Sequence, residues 1–126
     1  MSANDSILPE RAGPGPPRPR ARVLVVDDDL SVAAVIGHMA EQLGHAATVT
    51  GSVDEALGRL AQTHFDVVLT DLLMPGRDGL DLLEHVRAQD PDVPVVVITG
   101  QATIDSAMEA IKGGAYDYLA KPPQLQ

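Results

Sequence analysis

Three short apolar runs, each broken off by residues with chemistry to offer, constrain this chain more than any other feature. Arg22–Val26 (RVLVV) stops at Asp27, Asp28 and Asp29, Phe65–Thr70 (FDVVLT) at Asp71, and Val93–Thr99 (VPVVVIT) at Gly100. Nearly uninterrupted apolar runs of this length suit strands buried on both faces. A weaker run, Ala46–Thr50 (AATVT), and a later one, Ala115–Ala120 (AYDYLA), complete a set of five. Between them the apolar period changes to helical. Val32, Val35, Ile36, Met39 and Leu43 form one stripe before Gly44; Val53, Ala56, Leu57 and Leu60 form a second behind Ser52, with Glu55 completing a capping-box pattern. Leu80, Leu83 and Val86 give a third helix, and Ile104, Ala107, Met108 and Ile111 a fourth, stopped by Gly113 and Gly114. The alternation βαβαβαβαβ builds a mostly parallel α/β sheet with helices on both faces, joined by right-handed crossovers.

A single domain is the expectation for 126 residues of which 44% are hydrophobic. The formal net charge of −9 opposes direct nucleic-acid binding, and the absence of cysteine excludes disulfides and thiolate chemistry. No run approaches the length of a membrane helix and no signal peptide is visible, so a soluble, cytoplasmic domain without a membrane partner is expected. Residues 1–21 hold five of the 10 prolines and read as a disordered or extended leader. Arg11, Arg18 and Arg20 there outweigh Asp5 and Glu10. The plain reading is a flexible terminus; the sharper one is a docking arm for an acidic partner.

Folds of this kind place their chemistry beyond the carboxyl ends of the strands. Applied as a filter, that rule selects Asp27–Asp29, Asp71, Thr99 and Lys121. Carboxylates meeting at one rim must take up protons or share a cation, and oxygen ligands without His or Cys favour a hard ion, magnesium or manganese. Aspartates after strands also serve as turn formers and helix caps, the role best suited to Asp29. An acidic cluster, a lone Asp, a hydroxyl and an amine, each from a different strand end, match what a carboxylate nucleophile becoming an acyl phosphate requires. His38, His45, His64 and His85 sit at no such end and read as helix-surface or loop residues.

VLVVDDD (Val23–Asp29), VVLTDLLMPGRDGLDLL (Val67–Leu83), VVVITG (Val95–Gly100) and GGAYDYLAKP (Gly113–Pro122) together resemble the receiver domain of two-component response regulators, most closely those preceding ATPase-type transcriptional activators. The resemblance covers about residues 21–123. It implies a doubly wound, flavodoxin-like five-stranded parallel sheet of order 2-1-3-4-5. It further implies that Asp71 is phosphorylated, that Asp28 binds the divalent ion directly and Asp27 through water, and that the Leu73 carbonyl is a further ligand. Thr99 matches the switch hydroxyl, Lys121 the lysine that pairs with the phosphoryl group, Tyr118 the aromatic side chain that swings between two states, and Pro75 and Gly79 the residues that shape the loop. A cis Lys121–Pro122 bond is implied as well.

The implied function is phosphorelay: a sensor histidine kinase or phosphotransfer protein donates to Asp71, and an output domain or target protein, possibly transcriptional, reads the resulting switch. Slow autodephosphorylation is implied, not enzymatic turnover. A phosphorylation-independent protein-binding module is the alternative. A phosphohydrolase would need an acid where Leu73 stands. Only Pro123–Gln126 follow the Lys–Pro pair, where the family continues into a fifth helix, so residues 22–126 are expected to be a C-terminally truncated receiver lacking that helix. Three or four apolar side chains left uncovered would cost about 5–12 kcal/mol at roughly 1.5–3 kcal/mol each. Self-association through the open face is therefore expected.

Overall fold

The computed structural model describes residues 21–122 and Leu125; residues 1–20 of the expected leader (1–21) and the end of the expected truncated segment lie outside them. Five parallel strands alternate with four helices among the described residues: β1 (Arg22–Val26), α1 (Leu30–Gln42), β2 (Ala46–Thr50), α2 (Val53–Gln62), β3 (Val67–Thr70), α3 (Gly79–Gln89), β4 (Val95–Thr99), α4 (Ile104–Lys112) and β5 (Asp117–Ala120). The sheet order is β2-β1-β3-β4-β5, the expected doubly wound arrangement. No fifth helix follows β5 among the described residues. The reversal of strand order falls between β1 and β3, so the ends of those two strands open the crevice in which such folds bind ligands.

Side-chain alternation divides the core. Leu24, Val26, Val68 and Val95 point to one face and pack with Val53, Ala56, Phe65, Leu82, Leu83 and Val86 under α2 and α3. Val23 and Val25 point to the other face and pack with Ala33 of α1. On that second face Val67, Leu69, Val96 and Ile98 remain half-buried and Leu119 is 44% exposed.

Strands β3, β4 and β5 begin two residues later than the apolar runs do. Phe65 and Val93 are nevertheless buried, as core plugs in the preceding loops. The stripe expected on α1 is only partly the buried one. Val32 is buried and Ile36 half-buried, but Val35, Met39 and Leu43 are exposed, and the contact is made by Ala33, Gly37 and Ala40. A Cβ on Gly37 would lie 2.9 Å from Val49 Cγ2, so α1 sits too close to β2 for larger residues there. On α4, likewise, Ala110 is buried while Ile104, Met108 and Ile111 are exposed.

Helix entries follow the sequence closely. Ser52 caps α2 by accepting from the Glu55 N–H at 3.1 Å, but the Glu55 carboxylate reaches back to Gly51 N (2.8 Å) rather than to Ser52 N. Asp29 caps α1, its Oδ1 accepting from Ser31 N (3.1 Å) and Val32 N (3.3 Å). The Ser31 hydroxyl, which also donates to Oδ1 at 2.6 Å, and then the Val32 N–H hold its carboxyl below the usual value. Asp29 is therefore spent on the helix.

Candidate functional site

Backbone bonds between neighbouring strands bring the carboxyl ends together. Asp71 N donates to Val26 O (2.8 Å), Asp27 N to Thr50 O (3.1 Å) and Lys121 N to Thr99 O (2.8 Å). Each strand's last register is thus extended by one residue, and that residue carries the functional side chain. They line a cleft of about 370 Å³, which Leu73, Gln101 and Leu125 also border.

Asp27 is buried, 2% exposed, and would be costly to ionise without partners. It has two: Lys121 Nζ donates to Oδ2 at 2.7 Å, and Asp29 N donates to Oδ1 at 2.9 Å. Lys121 Nζ also lies 3.4 Å from Asp71 Oδ2. Burial pulls the Lys121 ammonium towards its neutral form, but the Asp27 hydrogen bond and the charges of Asp71 and Asp27 outweigh it and raise its pKa. Asp71 is half-buried, with Oδ1 accepting from Leu72 N at 2.8 Å. Desolvation, and then the Asp27 charge, raise its carboxyl above the ordinary value; the Leu72 N–H and Lys121 offset this in part.

Asp27, Asp28 and Asp71 each offer one oxygen within 4.8 Å of the others, with Asp28 the exposed member. Three oxygens of this kind form a group able to hold a cation. A cation would also favour the ionised form that burial and Asp27 oppose at Asp71. An oxygen-only donor set with an open side fits a hard divalent ion.

Thr99 is buried at the end of β4, its Oγ1 accepting from Gln101 N at 3.1 Å. Tyr118 is half-buried beside Leu72, Val97 and Ala110, with its hydroxyl bonded to the Ser106 hydroxyl on α4. Leu73 is 51% exposed at the cleft mouth, and Pro75 lies in the exposed loop beyond it. Gly79 opens α3 directly beneath the site: a Cβ there would meet Asp71 O at 2.2 Å and Leu72 Cα at 3.1 Å. Only glycine allows the loop after Asp71 to fold back this tightly.

One expectation is overturned. No peptide bond among the described residues is cis, so Lys121–Pro122 is trans. The lysine is aimed instead by the Lys121 N to Thr99 O bond and by its two carboxylate partners, so the ordinary trans preference of an X–Pro bond is left undisturbed. Ser106, as the partner of Tyr118, and Leu125, at the cleft edge, were not anticipated. Ser106 lay hidden as an ordinary residue of the first turn of α4, and no sequence signal marks Leu125. The histidines lie away from the cleft: His38, His64 and His85 are exposed, and His45 is half-buried with a buried Nδ1 that has no hydrogen-bond partner among the described residues.

The 2-1-3-4-5 order, with an acidic group and a buried lysine at the carboxyl rim, defines the class: doubly wound α/β domains whose ligand crevice lies at the switch in strand order. Comparison with known proteins narrows this. The response regulator receiver domain model matches residues 23–126. The chain is 38% identical over 100 residues to the C4-dicarboxylate transport transcriptional regulatory protein DctD of Rhizobium meliloti, covering 79% of this chain and 22% of that protein. It is 40% identical over 103 residues to the DNA-binding transcriptional regulator NtrC of Salmonella typhimurium, covering 82% of this chain and 22% of that protein. Among solved structures it resembles the beryllofluoride-activated NtrC4 receiver domain dimer (TM-score 0.75, 37% identity, 80% of this chain and 84% of that one). It also resembles the Francisella response regulator 1452 receiver domain (TM-score 0.75, 35% identity, 82% and 85%). The chain belongs to the response regulator receiver domain family, the phosphoacceptor modules of two-component signalling, which are not turnover enzymes. It spans 22% of the length of DctD and of NtrC.

Proposed function

We propose that Asp71 accepts a phosphoryl group and that Thr99 and Tyr118 convert its arrival into a conformational shift. The observation that carries this reading is Lys121, whose ammonium lies 2.7 Å from Asp27 and 3.4 Å from Asp71 and so stands beside the acceptor with its charge already oriented. An Asp71 carboxylate oxygen forms the new P–O bond as the donor's P–N bond breaks, or its P–O bond in a small acyl phosphate. The electron pair of the broken bond leaves with the donor. Lys121 then has a phosphoryl oxygen as well as Asp27 to pair with. Asp27, Asp28 and Asp71, with the Leu73 carbonyl, would hold Mg²⁺ or Mn²⁺, which supplies charge neutralisation between acceptor and donor oxygens when bound.

The donor in this reading is a sensor histidine kinase or phosphotransfer protein in the cytoplasm. The reader is an output domain or target protein, transcriptional in the proteins this chain is similar to. Slow hydrolysis of the acyl phosphate resets the switch. No helix among the described residues is long and apolar enough to cross a membrane.

Incubation with acetyl phosphate and Mg²⁺, followed by intact mass, tests the reading. A gain of roughly 80 Da is expected for the wild-type chain and none for Asp71→Asn. Full labelling of the Asn variant would overturn the assignment. No labelling of either, with the metal bound, would favour the phosphorylation-independent binding module.

A further inference from the structure

Four polar contacts converge on the hydroxyl of Ser106, in the first turn of α4. Thr103 N donates to Oγ at 3.3 Å and the Thr103 hydroxyl at 2.9 Å, while Oγ lies 3.2 Å from Thr103 O as a donor. The fourth contact is the hydroxyl of Tyr118, from β5. A serine hydroxyl has one hydrogen to donate and two lone pairs to accept with, so it satisfies three such partners and not four. We propose that Ser106 couples Tyr118 to α4: its hydroxyl is shared between the ring and the helix cap, and each gains what the other gives up. The proposal rests on the Thr99 and Tyr118 switch described above and supplies the route from that switch into α4.

A phenol is a stronger acid than an aliphatic hydroxyl, so Tyr118 is the donor to Ser106. Its bond takes one of the two lone pairs that Thr103 N and the Thr103 hydroxyl would otherwise fill. Thr103 N, at 3.3 Å the longest of the three capping contacts, is the one that yields. Two other bonds do not involve the shared oxygen: Ser106 N donates to Thr103 Oγ1 at 3.0 Å, and Ala107 N to Thr103 O at 3.0 Å. The helix therefore stays capped whichever way the ring sits, and only the hold on Thr103 N changes.

The same segment is tied at its other end to Thr99. Gln101 N, two residues before Thr103, donates to Thr99 Oγ1 at 3.1 Å. A turn of Thr99 towards a phosphoryl oxygen releases Gln101 N, and departure of Tyr118 tightens Thr103 N. The approach to α4 thus answers to both switch residues, and Ser106 is a positioning residue that touches neither the metal group nor the acceptor.

The chain has two tyrosines, and Tyr116 is 76% exposed, so ring-labelled tyrosine gives one signal for the switch and one solvent reference. The test uses the full 126-residue chain without metal, following ring signals and amide–water exchange by NMR. Tyr118→Phe removes the competitor, so the Thr103 amide should exchange about two- to tenfold more slowly. A contact that merely packed α4 would give the opposite sign, because its loss would loosen the first turn. Ser106→Ala removes the shared oxygen. The Tyr118 signal should move towards that of Tyr116, Thr103 exchange should quicken, and adding Tyr118→Phe should change that exchange no further. Ser106→Thr keeps a hydroxyl at the position and should restore both readings. Faster or unchanged Thr103 exchange in Tyr118→Phe, or an effect of that substitution that persists in Ser106→Ala, would overturn the proposal. Beryllofluoride with Mg²⁺ then tests the switch itself: in the wild type the Tyr118 signal and Thr103 exchange should move together. No movement of either would overturn the part of Tyr118 in the switch, while the metal-free result for Tyr118→Phe decides the sharing of Ser106 separately.

Discussion

Replacing Lys121 with methionine keeps the length of the side chain and removes its charge. Among the described residues, Asp27 would then retain only the Asp29 N–H, and Asp71 only the Leu72 N–H. Breaking one side of a buried ion pair costs about 3–5 kcal/mol. The expected loss is accordingly about 3–5 kcal/mol. With about 4 °C per kcal/mol for a domain of this size, the melting temperature should fall by roughly 12–20 °C. Two further conditions should recover stability: saturating Mg²⁺, which restores positive charge beside the carboxylates, and the added substitution Asp27→Asn, which removes the stranded one. Calorimetric melts with and without Mg²⁺ measure all of this. A fall that is insensitive to Mg²⁺ and is not recovered by Asp27→Asn would show that the lysine matters through packing and refute the electrostatic account.

Asp71 gives a second stability test. Burial and the Asp27 charge raise its carboxyl pKa, so the native state holds this proton to higher pH than the unfolded chain, and the group lowers stability as pH rises through its folded value. Asp71→Asn should accordingly raise the metal-free melting temperature at pH 7 and flatten its decline with pH, while Mg²⁺ should stabilise the wild type more than the variant in the same melts. Gly79→Ala must displace backbone, since the new methyl would lie 2.2 Å from Asp71 O; a loss of about 1–3 kcal/mol in urea unfolding and slower acetyl phosphate labelling are expected. Thr99→Ala should leave labelling of Asp71 intact but reduce the population shift seen by NMR on adding beryllofluoride. Equal shifts in variant and wild type would remove the hydroxyl from the switch.

Much of this molecule was legible because its strands are buried on both faces and end abruptly. The runs RVLVV, FDVVLT and VPVVVIT gave the sheet; the residues just beyond the first two gave Asp27, Asp28 and Asp71, and the last residue of the third gave Thr99. Helix faces were harder to read. Large apolar residues on α1 and α4 are exposed, and small ones make the contacts, because close approach is decided by the partner strand, as Gly37 against Val49 shows. The trans Lys121–Pro122 bond was misjudged for a similar reason. The lysine is aimed by a hydrogen bond from its own N–H to Thr99, a feature of register that residue type does not carry. The Tyr118–Ser106 contact depends on where α4 lies over β5, and no local pattern encodes it.

The Asp27–Lys121 pair joins residues 94 positions apart. A contact of that span forms late, because the loop it closes must first be ordered by every intervening strand. A partly synthesised or locally opened chain can display Asp71 and its acidic neighbours without the ammonium beside them. Phosphoryl donors would then meet a competent acceptor only on chains whose last strand has joined the sheet. Labelling competence would in that case report completed folding, and immature copies would be silent in the relay rather than falsely switched on.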